Sequence, residues 1–227
     1  MPPDLTKLSR LSALLFDLDG TLVDTDAHHF AATQQALERF GVTISQDYYA
    51  EHICGGKNQD IVRRLLPGHS PARRRDYVET KEKLFRDSLR ELEPIAGVVA
   101  LLDWAAAAGV ATALVTSAPR ANMELVLARL GLAERFAVVV LGDELADSKP
   151  NPLPYTTALR RLGVAAEEAV GFEDSPVGIR AVCGAEVLAV GLATTYSPAD
   201  LRRAGADHVI ADFQDTGLRR ILDSYTH

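Results

Sequence analysis

The order of apolar and polar positions changes character twice along the chain. Residues 11–16 form a short continuous apolar run, which is typical of a strand buried on both faces of a parallel sheet. After residue 94, similar runs alternate with segments in which apolar side chains recur at helical spacing. The predicted strands are residues 11–16, 110–115, 136–141, 169–172, 187–190 and 208–210, and the predicted helices are residues 98–108, 120–130, 155–162, 177–183 and 198–204. This alternation predicts an α/β fold with a parallel sheet, helices on both faces and right-handed crossovers.

The stretch between the first strand and residue 94 follows a different pattern. Its segments combine helical spacing with many charged residues, and Gly-Gly and Pro-Gly pairs separate them. The predicted helices of this stretch cover residues 29–40, 58–66 and 72–92. The sequence therefore predicts two domains, an α/β core made of residues 1–26 and 94–227 and a helical insert made of residues 27–93.

Composition narrows the possible partners and the compartment. The net charge of −7 argues against a general affinity for nucleic acid or anionic membranes. Cys54 and Cys183 form neither a CxxC pair nor a zinc-binding pattern, so we expect two thiols in a reducing compartment. Residues 1–10 lack the apolar segment of a signal peptide, and no apolar run approaches the roughly 20 residues that span a bilayer. We therefore expect a soluble, cytoplasmic protein.

Polar side chains follow several of the predicted strands at the point where each strand ends. Because ligands bind at the carboxyl ends of parallel strands, we expect these side chains to lie close together. They are Asp17 and Asp19 after the first strand, Thr116 and Ser117 after the second, Lys149 after the third, and Glu173 and Asp174 after the fourth. The sequence thus predicts that acidic, hydroxyl and basic groups meet at one edge of the sheet.

The types of these residues indicate phosphoryl-transfer chemistry. Asp17 and Asp174 offer the carboxylate oxygens that Mg²⁺ prefers in proteins. Asp17 can attack phosphorus and form an acyl phosphate, while Asp19 can protonate the leaving alcohol and later activate water. The hydroxyl of Thr116 suits the phosphate oxygens, and Lys149 can contact both the phosphate and the carboxylate of Asp17.

Four segments resemble the four motifs of the haloacid dehalogenase-like superfamily, in the order and spacing of that family. They are Phe16–Thr25 (FDLDGTLVDT), Val115–Ser117 (VTS), Ser148–Pro150 (SKP) and Gly171–Ser175 (GFEDS). The resemblance implies a Rossmann-like core with a small helical cap, a nucleophilic Asp17 and an acid/base Asp19. It also implies Mg²⁺ held by Asp17, the backbone carbonyl of Asp19 and Asp174. An aspartate at position 19 favours phosphoryl transfer over the dehalogenase branch, which lacks that acid.

Further residues are candidates with weaker support. Glu173 is either a metal ligand or an acid that lies behind the ligands. Gly20, Thr21 and Ser117 belong to loops that we expect to bind the substrate phosphate, although a backbone conformation that other residues resist explains Gly20 most simply. The resemblance adds four candidate substrate-binding residues of the helical insert: His29, Lys57, Asn58 and Lys81. The alternatives are a structural role for His29, which is the more common one for a lone histidine, a flexible helix connection for Lys57 and Asn58, and a solvated helix face for Lys81.

The predicted function is hydrolysis of a small phosphorylated metabolite, a sugar phosphate or a phosphoglycolate-like ester, by a Mg²⁺-dependent phosphatase. The first alternative is a β-phosphoglucomutase-like phosphomutase, which His29 and Lys81 favour. Asn58 and Cys54 argue against it, because those mutases carry arginine and lysine there. The second alternative is a metabolite-binding protein without activity, but every motif carboxylate is present. The sequence does not distinguish a monomer from a homodimer.

Overall fold

A computed structural model describes residues 8–225 of the chain. Within that range the strands are β1 (Ala13–Phe16), β2 (Ala111–Thr116), β3 (Val138–Leu141), β4 (Ala169–Glu173), β5 (Leu188–Leu192) and β6 (His208–Ile210). The helices are α1 (Asp26–Glu38), α2 (Gln46–His52), α3 (Asn58–Leu65), α4 (Pro71–Ser88), α5 (Val98–Ala108), α6 (Arg120–Leu130), α7 (Leu153–Leu162), α8 (Pro176–Gly184), α9 (Pro198–Ala204) and α10 (Thr216–Ser224).

The six strands form one parallel sheet in the order β3-β2-β1-β4-β5-β6. This confirms the predicted α/β fold, and the order is that of doubly wound, Rossmann-like sheets. The order reverses at β1, whose neighbours are β2 and β4. Phe16, the last residue of β1, is in register with Leu114 and Phe172. The segments that follow these three strands therefore leave the sheet at the same edge, where ligands bind in such folds.

All four residues of β1 are fully buried, as the unbroken apolar run predicts. Alternate side chains point to opposite faces of the sheet, so both faces carry a core. On one face, Leu15 packs with residues of β2, β4 and the helices α7 and α8. On the other face, the ring of Phe16 stacks on that of Phe172 at 4.9 Å between centroids, and Phe213 packs against both. The strand before Asp17 is therefore held from both sides.

The chain divides into two compact units. One contains the described residues up to Asp24 and those from Glu93 onward, and the other contains Thr25–Leu92. These limits lie within two residues of the predicted domain boundaries. The first unit holds the whole sheet, and the second is helical, with α1 packed against α4. That the helical unit acts as a cap remains a prediction.

The helical unit has its own apolar core, formed by buried side chains of all four of its helices, among them Leu37, Tyr49, Leu65 and Tyr77. Two of these helices begin where the sequence supplies a capping residue. The hydroxyl of Ser45 accepts a hydrogen bond from the backbone of α2, and that of Ser70 accepts one from α4.

Most predicted elements appear, with ends shifted by a few residues. Three helices and the last strand have the predicted bounds. The sequence did not predict α2 and α10, which contain seven and nine residues and give periodicity little to act on. Among residues 8–225, no helix combines the length and apolar composition needed to cross a bilayer.

Candidate active site

Asp17 is positioned by the strand that precedes it. Its backbone N–H donates a 3.0 Å hydrogen bond to the carbonyl of Phe172 in β4, which extends the sheet ladder by one residue. Its side chain therefore begins at the carboxyl edge of the sheet, and the residue is 8% exposed. Backbone contacts thus fix the position of this buried carboxylate, as a reacting group requires and a solvated surface acid does not.

Lys149 connects three parts of the sheet edge. Its Nζ lies 2.6 Å from Asp17 Oδ1 and 2.6 Å from Glu173 Oε1, and it donates a 2.8 Å hydrogen bond to the carbonyl of Val115. These three acceptors match the three N–H bonds of an ammonium group. The side chain of Lys149 is 7% exposed, so the carboxylates of Asp17 and Glu173 compensate its positive charge more than water does.

Glu173 lies behind this contact and is itself held from two further sides. Its Oε1 accepts a 2.6 Å hydrogen bond from the hydroxyl of Tyr155, a residue on α7. A Cβ added to Gly178 on α8 would lie 1.8 Å from Glu173 Oε2, so the carboxylate occupies space that a side chain at position 178 would fill. Sequence reasoning missed Tyr155 and Gly178, although a buried tyrosine shortly after Lys149 is a residue that needs a polar partner.

Three buried carboxylates form a cluster at this edge. Oxygen atoms of Asp17, Glu173 and Asp174 all lie within 4.8 Å of one another. Asp174 packs against the loop after β1, because a Cβ at Gly20 would lie 2.2 Å from Asp174 Oδ2. Gly20 also has a φ of +76° and its carbonyl accepts a 2.5 Å hydrogen bond from Thr194. Close approach and backbone conformation together require glycine at position 20.

The cluster contains more carboxylates than cations, and this imbalance and burial shift the pKa values of its groups. The pKa of Asp17 is raised to about 7, mainly by burial; Lys149 opposes this shift, and the carboxylates of Glu173 and Asp19 add to it. Burial lowers the pKa of Lys149, but the carboxylates of Asp17 and Glu173 outweigh burial and raise it overall. Burial and the charge of Glu173 raise the pKa of Tyr155 well above its usual value, so its hydroxyl stays a donor. One ammonium faces several carboxylates, which favours binding of a cation.

The remaining predicted residues of the core lie at the end of β2 and on neighbouring loops. Thr116 ends β2, is buried, and its Oγ1 accepts a 3.0 Å hydrogen bond from the backbone of Ala118. Ser117 and Asp19 are half-buried. Thr21 is fully buried, and within residues 8–225 its hydroxyl has no hydrogen-bond partner. Direct contact of these side chains with a substrate remains a prediction.

Three of the four predicted residues of the helical unit meet around a carboxylate that sequence reasoning missed. Glu82 Oε1 lies 2.8 Å from Lys81 Nζ and accepts a 2.8 Å hydrogen bond from the side chain of Asn58. Lys81 Nζ is 3.2 Å from His29 Nδ1. Glu82 is 6% exposed, so much of the charge of Lys81 is already neutralised within this unit.

The fourth predicted residue, Lys57, precedes α3 and is half-buried. Across the part of the chain that the structure describes, no hydrogen bond or ion pair joins it to the cluster around Glu82. The structure thus brings together His29, Asn58 and Lys81 but not Lys57.

Comparison with known proteins identifies the family. The model of a family described as haloacid dehalogenase-like hydrolase matches residues 14–191, a span that includes all four motifs. The chain belongs to this family. This match confirms the resemblance seen in the motifs around Asp17, Thr116, Lys149 and Asp174.

Two similar proteins are phosphatases by name. A phosphorylated carbohydrates phosphatase from Thermotoga maritima is 32% identical over 78% of this chain and 82% of its own length. A phosphoglycolate phosphatase from Colwellia psychrerythraea is 33% identical over 84% of this chain and 88% of its own length. Among solved structures, a CbbY mutant from Rhodobacter sphaeroides in complex with xylulose-(1,5)-bisphosphate superposes with a TM-score of 0.80 at 28% identity, over 91% of this chain and 96% of that chain.

Proposed function

We propose that this haloacid dehalogenase-like hydrolase is a cytoplasmic, Mg²⁺-dependent phosphatase of a small phosphorylated metabolite, a sugar phosphate or a phosphoglycolate-like ester. One observation carries the proposal, the contact between the Lys149 ammonium and the buried carboxylate of Asp17 at 2.6 Å. It holds a nucleophile and a phosphate-binding cation side by side at the ligand-binding edge of the sheet. The names of the similar phosphatases support the same reaction class.

The donor set fits a hard divalent cation. Carboxylate oxygens of Asp17 and Asp174 lie within 4.8 Å of each other, and both residues are buried. We assign Mg²⁺ to these two side chains and the backbone carbonyl of Asp19, because this ion favours one or two carboxylates with oxygen ligands around them. When bound, the ion supplies positive charge to the phosphate oxygens.

Glu173 has a different role in this proposal. Its Oε1 is engaged by both Lys149 and Tyr155, and its other oxygen packs against Gly178. These contacts favour the alternative in which Glu173 orients Lys149 rather than binding the ion itself.

The reaction then proceeds in two displacements. The phosphate oxygens bind Lys149, the hydroxyls of Thr116 and Ser117, and the loop that contains Gly20 and Thr21. A carboxylate oxygen of Asp17 forms a bond to phosphorus while the bond from phosphorus to the ester oxygen breaks, and Asp19 donates a proton to the leaving alcohol. Asp19 next takes a proton from water, whose oxygen attacks phosphorus and releases inorganic phosphate and the carboxylate of Asp17.

A phosphomutase is the second candidate because His29 and Lys81 lie 3.2 Å apart, as a paired substrate-binding site would require. The phosphoryl group on Asp17 would then pass to a sugar hydroxyl instead of water. The buried carboxylate of Glu82 argues against it, since it neutralises the lysine that would face a second phosphate. Incubation with β-glucose 1-phosphate and a trace of the bisphosphate distinguishes the two: isomerised sugar phosphate supports the mutase, and inorganic phosphate supports the phosphatase.

Replacement of the nucleophile tests the proposal directly. Asp17→Asn should abolish Mg²⁺-dependent turnover of p-nitrophenyl phosphate while circular dichroism shows an unchanged fold. The matched control is Asp147→Asn, which changes an exposed acid two residues before Lys149 and should keep full activity. Retained turnover in Asp17→Asn would contradict the assignment. A screen of phosphorylated metabolites, ranked by kcat/KM, then identifies the ester.

A further inference from the structure

The helical unit contains a groove that the proposed chemistry does not use. Its volume is about 470 Å³, and its walls come from α3 and the first half of α4. That volume lies within the range of small-molecule sites, about 300–1,000 Å³. Val62, Pro71 and Val78 are the apolar residues of the lining, and the other lining side chains are polar or charged.

The periodicity of the lining shows how the groove forms. Pro71, Arg75 and Val78 recur at helical spacing on α4, and Gln59 and Arg63 do so on α3. Each helix thus turns one continuous face toward the other. At one end of the groove, Asn58 donates its 2.8 Å hydrogen bond to Glu82 and closes the gap between the two helices.

The groove lies in a basic part of an acidic chain. From the first to the last lining residue, residues 58–79 carry five arginines against three acids, whereas the whole chain has a net charge of −7. Three arginines line the groove, Arg63, Arg74 and Arg75, and one acid does, Glu79. The lining is therefore positive, and it favours an anion.

Two of these arginines have guanidinium groups available to a ligand. Arg74 donates to the carbonyls of Leu66 and Pro67 at 3.0 and 2.5 Å, which fixes it at the end of α3. Arg63 has a 3.5 Å contact with an exposed carboxylate, a weak interaction in water. For Arg75, the described part of the chain provides no ion pair.

We propose that this groove binds an organic phosphate with a flat apolar group, of the nucleoside monophosphate class. Arg63 and Arg75 approach from different helices and bind the phosphate oxygens in the bidentate geometry that guanidinium favours. Val62 and Val78 provide apolar contacts for the ring, and the amide of Gln59 offers both a donor and an acceptor to its heteroatoms. The site goes beyond the proposed function, because none of these side chains takes part in that chemistry.

Calorimetric titration of AMP tests this site. The protein is the full chain with Asp17→Asn, in EDTA, so that AMP is neither hydrolysed nor drawn to a metal. AMP should bind at least about tenfold more tightly than adenosine or inorganic phosphate, because both halves of the ligand are recognised. Arg63→Gln and Arg75→Gln should each weaken binding about tenfold or more. The matched control is Arg64→Gln, an exposed arginine of α3 outside the lining, which should bind AMP within about twofold of the parent.

Three outcomes would overturn the proposal. The first is no binding of AMP at about 1 mM. The second is an equal loss in Arg64→Gln, which would indicate diffuse charge attraction and no defined site. The third comes from the active enzyme with acetyl phosphate, a substrate without a ring: a loss of kcat/KM of about tenfold in both Arg63→Gln and Arg75→Gln would make the groove part of the substrate site. The binding test needs no turnover, so it remains valid if the proposed function fails.

Discussion

Removal of the Tyr155 hydroxyl tests whether the side chains behind Asp17 control its reactivity. In Tyr155→Phe, Glu173 loses the donor that lies 2.6 Å from its Oε1 and keeps its 2.6 Å contact with Lys149. The carboxylate then carries more uncompensated charge in a site where it is 1% exposed. We expect it to draw Lys149 away from Asp17 and from the substrate phosphate.

The size of the effect follows from the bond that is lost. A hydrogen bond to a charged group contributes about 1.5–3 kcal/mol. Each 1.4 kcal/mol or so corresponds to a tenfold change in rate, so complete transmission to the transition state would lower kcat roughly 10- to 100-fold. KM should change less than about threefold, because Tyr155 contacts Glu173 and not the proposed ligands of the substrate. The same loss lowers Tm by about 3–12 °C in a chain of this size.

Steady-state kinetics with p-nitrophenyl phosphate and Mg²⁺ at 25 °C, combined with thermal unfolding, measures these quantities. The matched control is Tyr77→Phe, which removes a buried tyrosine hydroxyl of the helical unit and should leave kcat unchanged. A kcat within about twofold of the parent for Tyr155→Phe would refute the reasoning. So would equal losses of kcat in both variants, because these would reflect general destabilisation and not the relay through Glu173.

Two further predictions concern the same cluster. Gly178→Ala should lower kcat more than about tenfold despite a gain in helix propensity of about 1 kcal/mol, because the new Cβ would lie 1.8 Å from Glu173 Oε2. Gly184→Ala, in which the Cβ would lie 3.4 Å from the nearest atom, should keep its activity, and the reverse order of kcat would contradict the packing argument. Because the pKa of Asp17 is raised to about 7, its carboxyl is largely protonated below that pH, and Mg²⁺ must displace this proton. The apparent affinity for Mg²⁺ should therefore fall about tenfold for each unit by which the pH is lowered below about 7. Calorimetry in two buffers should find nearly one proton released per ion at pH 6 and almost none at pH 8, whereas equal affinity at both would refute this linkage.

The sequence predicts the sheet and the outline of the site because both depend on strand ends. Asp17, Thr116 and Asp174 each lie at or just after the end of a largely apolar run, and parallel strands bring their carboxyl ends to one edge whatever the details of packing. Tyr155 and Glu82 were not predicted, since their roles depend on which side chain packs against them in three dimensions. No local pattern distinguishes a tyrosine that orients a carboxylate from one that fills a core.

The same limit applies to the helical unit. Three of its four helices were predicted, and α2 was missed because it is short and its exposed face is polar. The groove between α3 and α4 depends on how two helices meet, and charge counting along residues 58–79 shows basic character without showing a cavity.

The way in which the chain leaves and re-enters the α/β unit has a consequence for how such enzymes diversify. Val23 and Pro94 form an antiparallel bridge, and the N–H of Ile95 donates a 2.8 Å hydrogen bond to the carbonyl of Leu22. The two junctions of the insert are therefore adjacent and tied to each other by backbone contacts. Because the core itself holds the two junctions together, the segment inserted between them can vary in length and sequence. Evolution can exchange residues 25–92 for another segment and leave the phosphoryl-transfer apparatus untouched.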